Sequence, residues 1–411
     1  MFICRAEFSI TRQIKASIAE MVCISRIYFP SLHQKKNRFA SIIHPISHIY
    51  AMQRREVLKT LGAAAGMLFM PSLAGDILAR AKNKYHPERW RGFNLLNYFS
   101  AGHTEPFSED EFRWISDWGF NFVRLPLSYW NWSRPGEYYE MDNRVLDDLD
   151  RAVEFGRKHH IHVCLNLHRA PGYCINPPEE AQNIFHDQEA LDGCAYQWGV
   201  LAKRYKGISS RHLSFNLLNE VSKATDQEYE RVVRRLVGEI RHYSSRRLIL
   251  IDGLDVGSRP LLSVPDLKDI IQCGRGYQPM LISHYAASWV YGNGEMYFPK
   301  EKLSWPLDAD GQHYDRQTLL EMQKRSWTPL LEQGGQVFIG EFGCHNQTPH
   351  QVALDWLRDN LSIFREMQWG WSIWNLRGSF GILDSNRGDV DYKDFHGHRL
   401  DEQMLKILQA G

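Results

Sequence analysis

The stretch Leu213-Ser214-Phe215-Asn216-Leu217-Leu218-Asn219-Glu220 is an apolar run that ends abruptly in an amide and a carboxylate. The basic pair Arg211-His212 precedes it and the polar pair Ser222-Lys223 follows it, which is typical of a strand buried on both faces. A carboxylate at the end of such a strand is costly to remove from water unless it has a function there. The stretch therefore predicts a buried parallel strand with a functional glutamate at its carboxyl end.

A second apolar stretch, Val337-Phe338-Ile339-Gly340-Glu341-Phe342-Gly343, also reaches a glutamate at its end. The carboxyl ends of parallel strands meet at one edge of a barrel, so Glu220 and Glu341 are expected to face each other across its mouth. Two opposed carboxylates suit acid/base and nucleophilic chemistry on a glycosidic bond. The alternative is that each glutamate merely caps its strand end or forms a salt bridge there.

Short apolar strands alternate with amphipathic helices from Arg91 onward. Strands are predicted over residues 91–96, 120–126, 161–168, 213–220, 247–253, 270–277, 336–341 and 369–377. Helices are predicted over residues 108–119, around 145–153, and over 188–205, 225–243, 317–333, 349–367 and 401–409. The capping boxes Ser108-x-x-Glu111 and Thr225-x-x-Glu228 mark two helix starts. Eight β/α units in about 320 residues predict an α/β fold of the closed (β/α)8 type, a TIM barrel in a single domain.

The N-terminal part differs from the rest of the chain. Residues 1–51 are cationic and show no helix or strand period, which predicts a disordered upstream extension with Met52 as the true start. Residues 52–74 combine Arg54-Arg55, the apolar run 61–69 and the small residues at 72–74, a pattern similar to a twin-arginine export signal. A short amphipathic helix is the alternative. The expected location is therefore periplasmic or extracellular, with residues 75–411 as the catalytic domain.

Charge and cysteine content exclude several classes of function. Residues 75–411 carry 39 Lys and Arg against 45 Asp and Glu, and this mildly acidic balance argues against nucleic-acid binding and against binding to anionic membranes. The same segment holds five cysteines, none of them in a C-x-x-C pair, which argues against a zinc site. No glycine-rich nucleotide fingerprint follows any strand. We expect a monomer that needs neither metal nor cofactor.

Six short motifs occur in one order between about residues 90 and 408. They are Arg91-Gly92-Phe93-Asn94, Val123-Arg124-Leu125-Pro126, His168-Arg169-Ala170-Pro171-Gly172-Tyr173, Leu218-Asn219-Glu220, Gly340-Glu341-Phe342-Gly343 and Trp374-Asn375-Leu376-Arg377-Gly378. Together they resemble glycoside hydrolase family 5, the cellulase-like members of a clan of retaining barrel glycosidases. The resemblance implies that Glu220 is the general acid/base and Glu341 the nucleophile.

The two glutamates need opposite environments. The acid must stay protonated near neutrality, so Glu220 needs surroundings that raise its pKa. The nucleophile must stay ionised, and Arg124, which matches an arginine on the family's second strand, is expected to hold Glu341 through its planar, permanently charged guanidinium. By the resemblance, Asn219 binds the sugar 2-hydroxyl. Strict alternation would place Asn219 and Glu220 on opposite faces, so the strand must twist or bulge at its end.

Two further residues are expected at the site by the resemblance. His168 would donate or accept a hydrogen bond there, and a buried structural histidine is the alternative. Trp374 would stack on the apolar face of the sugar, and a core tryptophan is the alternative. Aromatic residues in loops that follow strands are candidates for a sugar-binding cleft, or else for loop packing: Trp130, Trp132, Tyr173, Trp289 and Tyr291.

The sixth strand departs from the family pattern. Where many members have His-x-Tyr, this chain has Arg275-Gly276-Tyr277, with Tyr277 expected to reach the nucleophile. Either His284 supplies an imidazole from the following loop, or the chain does without one. Residues two apart on a strand share a face, so Arg275 is expected to place a fixed positive charge near Glu341. The alternative is an outward-facing Arg275 in a surface salt bridge.

The expected function is a retaining, endo-acting β-glycoside hydrolase on a β-linked polysaccharide, with β-1,4-glucan as the first choice of substrate. β-Mannan and β-1,3-glucan are the enzymatic alternatives, because the two-glutamate mechanism suits all three. A barrel that binds carbohydrate but has lost catalysis is the alternative from another class. The presence of Arg124, Asn219 and Tyr277 beside both glutamates argues against that alternative.

Overall fold

The computed structural model of the 411-residue chain describes residues 86–102, 104–291, 303–309 and 311–411. The upstream extension and the export signal predicted for residues 1–74 lie outside the described residues. None of the helices among these residues combines the length and the hydrophobicity of a membrane-spanning segment.

Eight parallel strands form a closed barrel, in which each strand pairs with its neighbours in the chain and the last strand pairs with the first. The strands are β1 (Arg91–Asn94), β2 (Phe122–Ser128), β3 (His162–Arg169), β4 (Leu213–Asn216), β5 (Ile249–Asp252), β6 (Ile270–Gly276), β7 (Val337–Phe342) and β8 (Gly370–Ile373). The predicted (β/α)8 barrel is confirmed.

Long helices follow every strand except β5. They are α1 (Glu109–Asp117), α2 (Asn143–Lys158), α3 (Gln188–Arg204), α4 (Asp226–Tyr243), α5 (Arg316–Glu332), α6 (His350–Met367) and α7 (Glu402–Ala410). The connection from β5 to β6 is described throughout, and its helical part is only the short segment Leu254–Gly257. Two small antiparallel hairpins, Leu307–Ala309 with Gln312–Tyr314 and Lys393–Phe395 with His398–Leu400, lie outside the barrel sheet.

One of the two predicted capping boxes is present. The Thr225 side chain accepts from the backbone N–H of Glu228 in α4, and the Glu228 carboxylate accepts from the backbone N–H of Thr225. The box predicted at Ser108 is wrong, because the Ser108 side chain makes no capping bond. Glu111 is instead buried, with Oε1 2.6 Å from Nε of Arg377. A buried carboxylate needs a charged partner, and this distant ion pair takes the place of the local cap.

Side chains that point into the barrel change character along its axis. Toward the amino ends of the strands lies an apolar group that we call the lower layer: Phe122, Cys164, Leu248, Leu250, Ile271, Cys273 and Phe338. Toward the carboxyl ends lies a buried polar group that we call the upper layer: Asn94, Arg124, Asn166, Asn216, Asp252 and Arg275. Arg124, Asn166, Asp252 and Arg275 each follow a lower-layer residue by two positions, which is the spacing that keeps a side chain on one face of a strand.

Candidate active site

Glu220 does not lie on a strand, although the sequence pattern predicted one up to that residue. Strand β4 ends at Asn216, and the chain leaves the sheet over residues 217–220. Glu220 itself has a φ of 50°, in the left-handed region that is uncommon for a residue with a side chain. This turn brings Asn219 and Glu220 into one network, with Nδ2 of Asn219 3.4 Å from Oε2 of Glu220.

Glu341 lies at the end of β7 and faces the fully buried guanidinium of Arg124. Nη1 of Arg124 donates to Oε1 of Glu341 at 2.6 Å, while Nη2 donates to Oδ1 of Asn219 at 2.7 Å. Charge-assisted bonds of this length stabilise a negative charge on the carboxylate. The contact that the sequence predicted between these two residues is present, and it also fixes the amide of Asn219.

Arg275 and Tyr277 both face the glutamates. Nε of Arg275 lies 3.1 Å from Oε1 of Glu220, and its Nη2 lies 3.3 Å from Oε1 of Glu341. The Tyr277 hydroxyl donates to Oε2 of Glu341 at 3.2 Å. The outward-facing alternative for Arg275 is therefore wrong. Burial and the charge of Glu341 raise the pKa of Tyr277 well above its ordinary value, so its phenol remains a donor.

The surroundings of Glu220 favour a protonated acid. Burial and, after it, the negative charge of Glu341 raise its pKa to about 7, while Arg275 acts in the opposite direction. The site therefore combines one carboxyl group that holds its proton near neutrality with one carboxylate that accepts bonds from two guanidinium groups.

The sequence patterns did not single out Asp252, Asn94 or Asn216, which complete this network. Asp252 ends β5 as a carboxylate after the apolar residues 249–251, the same signal that drew attention to Glu220. Asn94 accepts from Nη1 of Arg124 at 3.0 Å, and Asn216 accepts from its Nε at 2.9 Å. A search for polar residues at every strand end would have found all three.

Both glutamates line a cleft of about 610 Å³, together with Trp374, His168 and His284. Trp374 is half-buried and lines this cleft, so the core-tryptophan alternative is wrong. Its ring stacks against that of His168, with the ring centroids 5.6 Å apart. Burial and nearby arginines lower the pKa of His168 well below its ordinary value. His168 is thus a neutral ring, and its Nε2 lies 3.1 Å from Nδ2 of Asn176.

His284 lies in the cleft wall, with its ring centroid 4.8 Å from that of Tyr277. Its Nδ1 lies 2.9 Å from the Ser283 hydroxyl, and the structure shows no hydrogen bond from it to either glutamate among the described residues. Burial lowers the pKa of His284 to about 4, so the ring is neutral at ordinary pH. Arg275 therefore carries a positive charge beside the glutamates at neutral pH, in addition to that of Arg124, and His284 does not.

The aromatic candidates for the cleft divide into two groups. Trp130 and the exposed Trp289 line the cleft. Trp132 is buried and donates to Gln197, and Tyr291 is not among the described residues that line the cleft. Tyr173 is also buried, and its hydroxyl donates to the Glu220 carbonyl at 2.7 Å. The loop-packing alternative is therefore correct for Trp132 and Tyr173, because hydrogen bonds to the protein itself hold both buried side chains.

Comparison with known proteins agrees with this geometry. The sequence model described as Cellulase (glycosyl hydrolase family 5) matches residues 81–379. The chain belongs to glycosyl hydrolase family 5. It is therefore a glycosidase, an enzyme that hydrolyses O-glycosyl bonds, and the family resemblance inferred from the sequence motifs is confirmed.

Several known proteins are similar to this chain over most of their length. Endoglucanase C of Acetivibrio thermocellus is 26% identical over 314 residues, which cover 71% of this chain and 91% of that protein. A solved structure of a glycoside hydrolase is 37% identical, covers 78% of this chain and 99% of that one, and superposes with a TM-score of 0.71. The endoglucanase Cel5A of Thermotoga maritima, at 19% identity and a TM-score of 0.61, shows the same fold over 79% of this chain and 98% of its own.

Proposed function

We propose that this family 5 enzyme is a retaining, endo-acting β-glycanase whose main substrate is β-1,4-glucan. The observation that carries the proposal is the opposite environment of the two glutamates. Arg124 and Tyr277 donate to Glu341, as suits a nucleophile, while burial keeps the pKa of Glu220 at about 7, as suits an acid. The similarity to endoglucanase C supports β-1,4-glucan as the substrate.

In the first step, an oxygen of Glu341 forms a bond to the anomeric carbon as the glycosidic bond breaks. Glu220 gives its proton to the departing oxygen, and the sugar is left as an ester on Glu341. In the second step, Glu220 takes a proton from water, the water oxygen bonds to the anomeric carbon, and the Glu341 carboxylate leaves. Two displacements at one carbon return the β configuration.

The change of role at Glu220 follows from the charges around it. The negative charge of Glu341 is one of the causes that raise the pKa of Glu220. That charge disappears when Glu341 is esterified, while Arg275 stays charged and continues to favour the ionised form. The pKa of Glu220 should therefore fall in the intermediate, which turns the spent acid into a base.

Asn219 and Trp374 are the groups that we assign to the sugar. Oδ1 of Asn219 already accepts from Arg124 and Arg275, so the amide orientation is fixed and Nδ2 is presented as a donor. A donor beside the acid is suited to the 2-hydroxyl, where a hydrogen bond strengthens as positive charge develops on the ring. Trp374 offers the cleft an aromatic plane for the apolar face of the sugar.

Activity on four polymers tests the substrate. We expect the purified enzyme to release reducing ends fastest from carboxymethyl cellulose and mixed-linkage glucan, with an early fall in viscosity that shows endo action. Faster hydrolysis of mannan or of laminarin, a β-1,3-glucan, would show that this polymer, and not β-1,4-glucan, is the main substrate. Binding without release of reducing ends from any of them would support the non-catalytic barrel.

The stereochemistry of the first product tests the mechanism. Proton NMR of the initial product should show the β anomer, because retention requires two displacements. The Glu220→Ala variant should keep a rapid first step on an aryl glycoside with a very good leaving group, which needs no acid. An initial α product, or equal loss in Glu220→Ala and Glu341→Ala on that substrate, contradicts the assigned roles.

We also infer export from the cell, on the basis of the sequence of residues 52–74 and of a substrate that is an extracellular polymer. N-terminal sequencing of the protein from the producing cells tests this inference. A chain that begins near residue 75 is expected. A chain in the cell that retains residues before 52 contradicts both the export signal and the assigned start.

A further inference from the structure

Asp252 is a third buried carboxylate in the active site. Its Oδ2 accepts from the backbone N–H of Glu220 at 2.7 Å and forms an ion pair with Nη2 of Arg275. Its Oδ1 accepts from Nδ2 of Asn216 at 2.9 Å. Both carboxylate oxygens are therefore occupied by groups of the protein, and the side chain is fully buried. Asp252 holds the backbone of the acid and also one of the two active-site arginines.

The charges of the network balance only when Glu220 is protonated. Arg124 lies 2.6 Å from Glu341, and Arg275 has its shortest contact with Asp252. The positive charges of these two guanidinium groups then cancel the negative charges of the Glu341 and Asp252 carboxylates. Ionisation of Glu220 adds a negative charge that no further cation within the network matches, and an unmatched buried charge is costly.

The other titratable groups around the network carry no charge near neutrality. Burial raises the pKa of phenols and thiols and lowers that of imidazoles, so all of them are neutral: Tyr173, Tyr229, Tyr277, Cys164, Cys273, His168 and His284. Arg169, which lies near His168, is paired with Glu180 at 2.6 Å. Besides burial, the charges that act on the protonation of Glu220 are therefore those of Arg124, Arg275, Asp252 and Glu341.

We propose that Asp252 is a positioning residue that keeps Glu220 protonated, by neutralising Arg275 and by holding the Glu220 backbone in its turn. Without Asp252, the positive charge of Arg275 acts on Glu220 without a compensating negative charge, and it favours the ionised form of Glu220. This proposal explains how the sixth strand accommodates a permanently charged arginine beside the acid. It rests on the acid role that the proposed function gives to Glu220.

Direct titration of Glu220 tests the proposal without depending on catalysis. The protein is labelled with ¹³C at the glutamate carboxyl carbons, and the Glu220 signal is identified by its loss in Glu220→Gln. We expect Asp252→Asn to lower the titration midpoint by about 1 pH unit or more, because a like charge is removed and Arg275 is left unbalanced. Arg275→Gln should move the midpoint upward. The double variant should return it to within about half a unit of the wild-type value, since both charges are gone.

The control is Asp148→Asn, which makes the same change at a buried aspartate on α2 that accepts from Tyr98 and Phe107 outside the network. This variant should leave the Glu220 midpoint unchanged. A midpoint in Asp252→Asn that stays at the wild-type value, or that rises, overturns the proposal. If Asp252→Asn fails to fold, the double variant decides. Recovery of the fold then supports charge balance, and a second failure shows that Asp252 serves the fold alone.

Activity measurements separate this proposal from the proposed function. The basic limb of the pH profile for kcat/KM should move down with the Glu220 midpoint in Asp252→Asn. An enzyme that releases no reducing sugar but shows the expected NMR shifts would refute the proposed function and leave the charge balance intact. Normal hydrolysis with unchanged NMR midpoints would refute the charge balance alone.

Discussion

The lower and upper layers of the barrel share strands and degree of burial but differ in chemistry. At the lower layer, Phe122 and Phe338 pack their rings with centroids 4.7 Å apart, and burial of such apolar surface stabilises the fold. At the upper layer, Arg124 and Arg275 are buried with carboxylates, and the loss of hydration offsets much of the attraction between these charges. One layer therefore supplies stability, and the other uses it to hold reactive groups in place.

The backbone shows the same division. The strand residues of the lower layer lie in a regular parallel register, for example Phe122 opposite His162. Near the upper layer the register of β6 and β7 shifts between Gly274 and Arg275, and Glu220 adopts a positive φ. Such local departures have a cost that the surrounding fold must offset, and they occur where side chains have to converge.

The largest expected effect is the loss of turnover in the upper layer. Glu341→Ala should reduce kcat by about 10⁴-fold or more, because no ester can form on alanine. Initial rates on carboxymethyl cellulose, with circular dichroism to confirm the fold, measure this loss. Added azide, which can occupy the vacated space and attack the anomeric carbon once, should restore turnover on an activated aryl glycoside with an α-linked product. Undiminished hydrolysis by Glu341→Ala would place the nucleophile elsewhere.

The next effect is a loss of stability in the lower layer. Phe338→Ala should lower the free energy of unfolding by about 3–5 kcal/mol, because a fully buried ring is replaced by a cavity. Urea denaturation measures the change, and Phe338→Leu, which leaves a smaller cavity, serves as the matched control. Because the catalytic groups are untouched, kcat per folded molecule should stay within about twofold of wild type. A large fall in kcat with unchanged stability would contradict the division between the layers.

The third effect is a gain of stability when the acid is removed. The pKa of Glu220 is raised from its ordinary value of 4.5 to about 7 in the folded protein, so the native state binds this proton more tightly than the unfolded state. Stability from this group is present below pH 4.5 and is lost as the pH rises through about 7. Glu220→Gln avoids the loss, and at pH 8 it should be more stable than wild type by roughly 3 kcal/mol.

Urea denaturation of Glu220→Gln and wild type at pH 4 and pH 8 measures this difference. The two proteins should differ much less at pH 4, where Glu220 is protonated in both the folded and the unfolded state. An advantage of the same size at both pH values would show that Gln packs better for reasons unrelated to ionisation.

The smallest expected effect concerns the loop that carries the acid. The Tyr173 hydroxyl donates to the Glu220 carbonyl and accepts from the Ser222 N–H at 2.9 Å. Tyr173→Phe leaves both groups without this partner and should cost about 1–3 kcal/mol of stability and about tenfold in kcat, with KM nearly unchanged. Steady-state kinetics and urea denaturation measure the two quantities. A rise in KM with unchanged kcat would indicate that Tyr173 contacts the sugar instead.

The barrel could be predicted from local sequence patterns, because each of its strands and helices is specified by residues that lie close together in the chain. The order of strands and helices, the stripe of Val145, Leu149 and Val153 on α2, and the capping box at Thr225 all depend on spacings of a few residues. The end of β4 was placed four residues too late, at Glu220 rather than Asn216. The apolar Leu217 and Leu218 continue the pattern of a strand, although the backbone leaves the sheet just after Leu217, whose N–H donates to Leu250 of β5.

The sequence by itself determined the closed barrel and singled out the two glutamates, together with the motifs that place this chain in family 5. Only the tertiary structure decided that Asp252 pairs with Arg275 and that Tyr173 holds the backbone of Glu220. It also decided that Glu111 forms an ion pair with Arg377 instead of taking part in a capping box. The physical reason is separation along the chain. Arg124 and Glu341 are 217 residues apart, and Arg275 and Asp252 are 23 apart. The partner of a buried charge is chosen when the barrel closes, by which strand ends then lie within reach.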